Sequence, residues 1–174
     1  MDSLLPTFIL LAFAVRLVSL AVSTVNEIRL RALGSHEIGR ANTITLAVSH
    51  AAYYVLATVE WLENDTPVVP WISALGVILY SLSMVALVLV IRSLGYIWTV
   101  KLLIAPDHPH IKSGLYRLSR HPNYFLNVLP ELVGFTVALN SVWTLILGLP
   151  LYMIPLSIRI RQEEAAMNVA VKSY

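Results

Sequence analysis

Cysteine is absent from the 174 residues, which excludes disulfides, thiolate nucleophiles and sulfur-ligated metals. Charge is scarce as well: Asp, Glu, Lys and Arg make up 13% of the chain against 57% hydrophobic residues, and the mean hydropathy is +0.74. Soluble domains carry about 25% charged residues, so the composition is that of an integral membrane protein. The first apolar run lacks a basic leader and a small-residue cleavage site, and therefore reads as a mature helix rather than a signal peptide. Internal repeats, low-complexity segments and linkers are missing too, which leaves one domain over 1–174. Within it, helices fill 1–91 and the chemistry-bearing half is 92–174.

What is there is a set of five apolar runs: Leu4 to Thr24, Thr43 to Leu62, Trp71 to Ile91, Tyr124 to Leu139 and Val142 to Ile158. At about 1.5 Å per residue these approach or cross a bilayer core. The last two are short and separated only by Asn140-Ser141, which predicts a tight helical hairpin and leaves open whether both span. The expected fold is all-α, a polytopic transmembrane bundle of about five helices with a cytoplasmic cofactor-binding loop and a C-terminal helix. If all five runs cross, eleven of the twelve Lys and Arg residues fall on one side, while the loop with Glu63 and Asp65 has none. Basic residues collect in the cytoplasm, so the N-terminus is expected outside and the C-terminus inside. This asymmetry also accounts for the net charge of +2, which makes no case for nucleic-acid binding; membrane lipids are the expected surroundings.

Three ionisable residues interrupt the apolar runs: Arg16, His50 and Glu131. Each lies seven or eight residues from the cytoplasmic end of its run, roughly 11 Å deep at the helical rise. A lone charge at that level costs a few kcal/mol, so Arg16 and Glu131 are expected to face inward together. Two readings remain open for them, a structural ion pair and the floor of a cytoplasmic pocket.

Two polar clusters abut the apolar runs at the predicted cytoplasmic face. The first runs from Gly114 through Tyr116, Arg117, Arg120 and His121 to Tyr124, with Pro122 at the head of the fourth helix. Proline fits a first helical turn, and the free amides and positive dipole there suit an anionic group. His108-Pro109-His110-Ile111 forms a polar loop just upstream. With His121 and Glu163 its histidines also admit a metal reading, disfavoured because no helical i, i+4 pair is present. The second cluster, Arg159-Ile-Arg161-Gln-Glu163-Glu164, follows the fifth run. Arg159 and Glu163 are four apart, so on a continuing helix they share a face on which they can pair.

These motifs carry a resemblance. Gly114-Leu-Tyr116 followed by Arg120-His-Pro-Asn-Tyr124, then Arg159 with Glu163-Glu164 ahead of Met167, resembles the isoprenylcysteine carboxyl methyltransferase family of membrane enzymes, including its small bacterial members. Asn26 to Arg31 with Gly34 and Gly39 looks like the first cytoplasmic loop of bacterial relatives that methylate lipid-like phenols or pyrones. The resemblance implies S-adenosylmethionine as methyl donor, entering from the cytoplasm, and a lipophilic acceptor from the bilayer. It implies cofactor contacts at Lys101, His108, Pro109, His110, Ile111, Tyr116, His121, Pro122, Asn123, Tyr124 and Glu163, with Arg159 facing the acceptor and Arg159 and Glu163 as the catalytic pair. Departures are Lys101 itself, Leu126 where many relatives have Gly, and Met167 in place of Leu.

A methyl on a sulfonium is already electrophilic, so the protein's work is alignment and exclusion of water. A carboxylate acceptor needs no base; a phenol does, and His121, His50 and Glu131 are the candidates. The competing readings are an NADPH-dependent reductase of sterol-like double bonds and a non-catalytic membrane protein. The first has few residues with which to hold a dinucleotide, and the second leaves both clusters unexplained.

Overall fold

The computed structural model describes residues 4–64, 68–104, 115 and 121–172, the last five as backbone alone. Five helices form the expected all-α bundle. Helix α1 spans Leu4–Ala32, α2 Arg40–Glu63, α3 Pro70–Leu94, α4 Leu129–Leu139 and α5 Leu149–Lys172. The sequence reading had no strand, yet β1 (His36–Ile38) and β2 (Leu102–Ile104) pair antiparallel, with His36 opposite Ile104. Residues Asn26 to Arg31, expected in a loop, are instead the last turns of α1. The helix continues because no Gly or Pro interrupts Leu4–Ala32 after Pro6, and Gly34, at φ 83°, follows its end.

Outward-facing positions are apolar: Leu10, Leu11, Leu17 and Val18 on α1, Ile78, Leu82 and Val85 on α3, and Ile146, Leu151 and Ile154 toward the fifth helix. An exposed surface of this kind belongs in lipid, where every backbone group is satisfied within its helix. By length and composition Leu4–Ala32, Pro70–Ile97 and Thr144–Met167 can each cross a membrane, and Asn123–Leu139 is apolar but shorter. Helix α2 is as long, but carries His50, Glu60 and Glu63.

The interior is aromatic. Tyr54 stacks on Phe135 with centroids 4.2 Å apart, Phe8 meets Tyr80 edge-on at 5.0 Å, and Phe13 meets Tyr54 at 5.4 Å. Helices α3 and α4 approach backbone to backbone: a Cβ on Gly76 would lie 2.3 Å from the Ala138 nitrogen, and one on Gly134 2.6 Å from the Tyr80 nitrogen. Small residues permit such contact in lipid-embedded helix pairs.

Both helices of the C-terminal hairpin begin with a π-helical turn, Asn123–Val128 and Thr144–Gly148. In each the next element opens Leu-Pro, at Leu129-Pro130 and Leu149-Pro150. A proline withholds the N–H that would reach four residues back, and a wider turn absorbs the mismatch; the Leu129 N–H bonds to Tyr124 O, five residues back. The tight hairpin is as expected. Asn140 takes the left-handed conformation at φ 57°, Ser141 Oγ donates to Ala57 O at 2.7 Å, and Glu60 accepts the Trp143 and Thr144 amides at 2.8 Å each. A carboxylate at a helix start is favoured by the dipole.

Candidate functional site

The residues with chemistry gather at the end of the bundle where α1 and α3 finish and α2 begins. On α5 a single inner stripe carries Tyr152, Leu156, Arg159 and Glu163, spaced i, i+4, i+7, i+11. Arg159 is 4% exposed. Its Nε donates to the Tyr124 hydroxyl at 3.3 Å, Nη1 to Thr43 Oγ1 at 3.1 Å and Nη2 to the Val100 carbonyl at 2.8 Å. The pairing of Arg159 with Glu163 anticipated from their spacing does not occur: among the described residues no carboxylate forms an ion pair with Arg159. The helix is continuous, but the guanidinium turns inward to α2, α4 and the chain after α3, whereas Glu163 lies a turn further out. A guanidinium has five N–H donors; among the described residues three are engaged, one from Nε and one from each Nη.

Glu163 is drawn to His121 instead. The imidazole Nδ1 lies 3.3 Å from Glu163 Oε2 and Nε2 lies 3.3 Å from Glu164 Oε1. Glu163 Oε2 is buried without an aligned hydrogen-bond partner among the described residues, so the Nδ1 contact is electrostatic rather than a well-formed hydrogen bond. His121 is fixed by the first turn that it opens, its carbonyl accepting the Tyr124 and Phe125 amides, and its ring lies nearly parallel to that of Tyr124. The Glu163 carboxylate, with a smaller contribution from Glu164, pushes its pKa up from the ordinary 6.5 against the opposing effect of burial.

Of the other anticipated cofactor contacts, Pro122, Asn123 and Tyr124 stand beside His121. Asn127 donates to Asn123 Oδ1 at 3.1 Å, which leaves the Asn123 amide N–H groups to face elsewhere. Lys101 is held by Glu27 of α1, Nζ to Oε1 at 2.7 Å. His108, Pro109, His110, Ile111 and Tyr116 lie outside the described residues, so the histidines of the metal reading, His121 apart, do as well.

Sequence reasoning missed Thr43, Val100 and Ser23. The Val100 amide donates to Ser23 Oγ at 2.9 Å. The only signal in the sequence was position: Ser23 and Thr43 are small polar residues seven before or after an ionisable one. Arg16, His50, Glu131 and Tyr152 are each seven residues from Ser23, Thr43, Tyr124 and Arg159 respectively. Four helices thus contribute to two polar layers about 10 Å apart.

The deeper layer joins as expected. Glu131, wholly buried, accepts from Arg16 Nε and from the Tyr54 hydroxyl, and also meets Arg16 Nη2. His50 Nε2 is 3.5 Å from Glu131, and Nδ1 is 3.3 Å from the Tyr152 hydroxyl. Val128 and Leu156, both in the buried core, occupy the depth between the layers.

Comparison with known proteins turns this arrangement into a family assignment. The model of the isoprenylcysteine carboxyl methyltransferase (ICMT) family matches residues 74–169, more than half the chain and every described site residue except those of α1 and α2. The chain belongs to that family. It is a membrane methyltransferase. An uncharacterized protein of Haemophilus influenzae is 38% identical over 160 residues, covering 89% of this chain and 90% of that protein. The uncharacterized protein YpbQ of Bacillus subtilis is 29% identical over 154 residues, 88% of this chain and 90% of YpbQ. No solved structure matches.

Proposed function

We propose that this ICMT-family protein transfers a methyl group from S-adenosylmethionine to an oxygen, carboxylate or phenolate, of a lipophilic acceptor. The carrying observation is Arg159, a buried cation held by three neutral oxygens and, among the described residues, by no counter-ion. Burying an uncompensated charge is costly, and an anionic oxygen supplied by an acceptor offsets that cost only when bound. The second N–H groups of Nη1 and Nη2, not engaged among the described residues, are suited to a charge-assisted hydrogen bond with such an oxygen.

The donor set next to it fits the proposed cofactor. Glu163 Oε2, buried and short of a hydrogen-bond partner among the described residues, suits the ammonium or the ribose hydroxyls of S-adenosylmethionine, and the side-chain amide N–H groups of Asn123, whose Oδ1 is taken by Asn127, suit its carboxylate. When bound, the cofactor supplies an electrophilic methyl whose departure leaves a neutral thioether. Arg159 orients the acceptor oxygen. Tyr124, Thr43 and Val100 hold Arg159 still, and the apolar interior excludes water. A carboxylate acceptor releases no proton on methylation; a phenol must surrender one, for which His121 is a candidate base. The site is assigned to the cytoplasmic end on the strength of the basic residues gathered there, and the catalytic half to residues 92–174, with Ser23 and Thr43 as contributions from the first two helices.

Calorimetry of the purified protein tests the reading. S-adenosylhomocysteine should bind and NADPH should not; binding of NADPH alone would turn the assignment toward a reductase, and binding of neither toward a non-catalytic role.

A further inference from the structure

One of the three bonds that hold Arg159 comes from a stretch of chain with little structure of its own. Between the short 3-10 turn Gly95–Ile97 and strand β2, residues 98–101 belong to no helix or strand, so their own backbone does not set where the Val100 carbonyl points. Side chains on one face of α1 do. Ser23, Asn26 and Glu27, at i, i+3 and i+4, each take hold of this stretch. Ser23 Oγ accepts the Val100 amide at 2.9 Å, Asn26 Nδ2 donates to the Trp98 carbonyl at 2.8 Å and the Gly95 carbonyl at 3.3 Å, and Glu27 accepts from Lys101 Nζ at 2.7 Å. Of the three, Ser23 is the one that is buried, 5% exposed, and the one that grips the residue bonded to Arg159.

We propose that Ser23 is a positioning residue for methyl transfer. By holding the Val100 amide it presents the Val100 carbonyl to Arg159 Nη2, and so directs the remaining N–H of that nitrogen toward the acceptor. This rests on the reading that Arg159 engages the acceptor. It assigns a part in the reaction to α1, which lies outside residues 74–169 that carry the family match. Loss of the hydroxyl leaves the Val100 amide without its partner and lets the stretch drift, which moves the guanidinium but not His121 or Glu163, held from α5 and the α4 entry. Acceptor handling therefore suffers while cofactor handling does not.

The test is steady-state kinetics of the full chain in proteoliposomes with S-adenosylmethionine and a synthetic S-farnesylated cysteine bearing a free carboxylate. Ser23→Ala should raise the acceptor KM about 5- to 10-fold, the size of one lost hydrogen bond, with the cofactor KM unchanged and Ser23→Thr restoring the acceptor value. Ser23→Val, matched in shape to Thr but without a hydroxyl, should behave as Ser23→Ala and guards against a simple packing defect. Equal change in both KM values, or equal behaviour of the Thr and Val variants, overturns the inference alone. Absence of transfer by the unaltered protein both to this carboxylate and to a long-chain alkylphenol assayed beside it overturns the proposed function and this inference with it.

Discussion

Arg16 and Arg159 are both arginines turned into the bundle, one layer apart, and they are satisfied in opposite ways. Arg16 has a buried carboxylate, Glu131, as its permanent partner, with Tyr54 and His50 around the same group. Arg159 has a hydroxyl, a second hydroxyl and a backbone carbonyl, all neutral. A cation with its own counter-ion is a finished structural contact. One with neutral partners is held in position yet still attracts an anion, and the difference separates a layer whose charge is matched inside the protein from the layer proposed to act.

The contrast can be broken by mutation. Glu131→Gln strands the Arg16 charge inside the membrane, and we expect a loss of about 3–5 kcal/mol of stability, read as a lowered unfolding midpoint in detergent. Arg159→Ala should do the reverse, lowering transfer about 100-fold or more, the scale for loss of a donor that orients reacting charge, while calorimetric affinity for S-adenosylhomocysteine is largely kept. If cofactor affinity collapses instead, Arg159 belongs to the cofactor. Combining Arg16→Glu with Glu131→Arg should restore much of the stability lost in either single change. Recovery of activity along with it would mark the layer as purely structural, and folding without activity would mean that it shapes the site.

Two smaller effects sharpen the picture. Thr43→Val removes one of three bonds to Arg159 and should reduce kcat/KM for the acceptor about fivefold, near the usual contribution of a hydrogen bond. The smallest effect concerns His121. Its pKa is raised in the folded state, so its contribution to stability is fully present below the unfolded value near 6.5 and is lost as pH rises through the raised folded value. The unfolding midpoint should fall as pH is raised through that window, and His121→Asn should flatten that part of the profile.

The bundle was legible in the sequence because lipid imposes a simple rule: long apolar runs become helices, and inward charges at one depth must meet. Arg16, His50 and Glu131 were found that way, and so was the hairpin at Asn140-Ser141. The site was legible only in its anchors. Arg159, His121 and Glu163 stood out by charge, but their partners were misjudged, because spacing along one helix says which side chains can meet and not which neighbour from another helix stands closer. Val100 bonds through its backbone and leaves no mark in a side-chain pattern. The β1 and β2 strands, three residues each, are too short to display the alternation by which strands are recognised.

Where α3 and α4 meet at Gly76 and Gly134, main chain rests on main chain with no side chain between to swing aside. The pair therefore behaves as a single rigid plate, carrying Glu131 on its inner surface. Any parting of helices wide enough to admit a lipid tail is expected along other seams, those bordering α1, α2 and α5, so that two missing side chains restrict the route by which the proposed acceptor would reach Arg159.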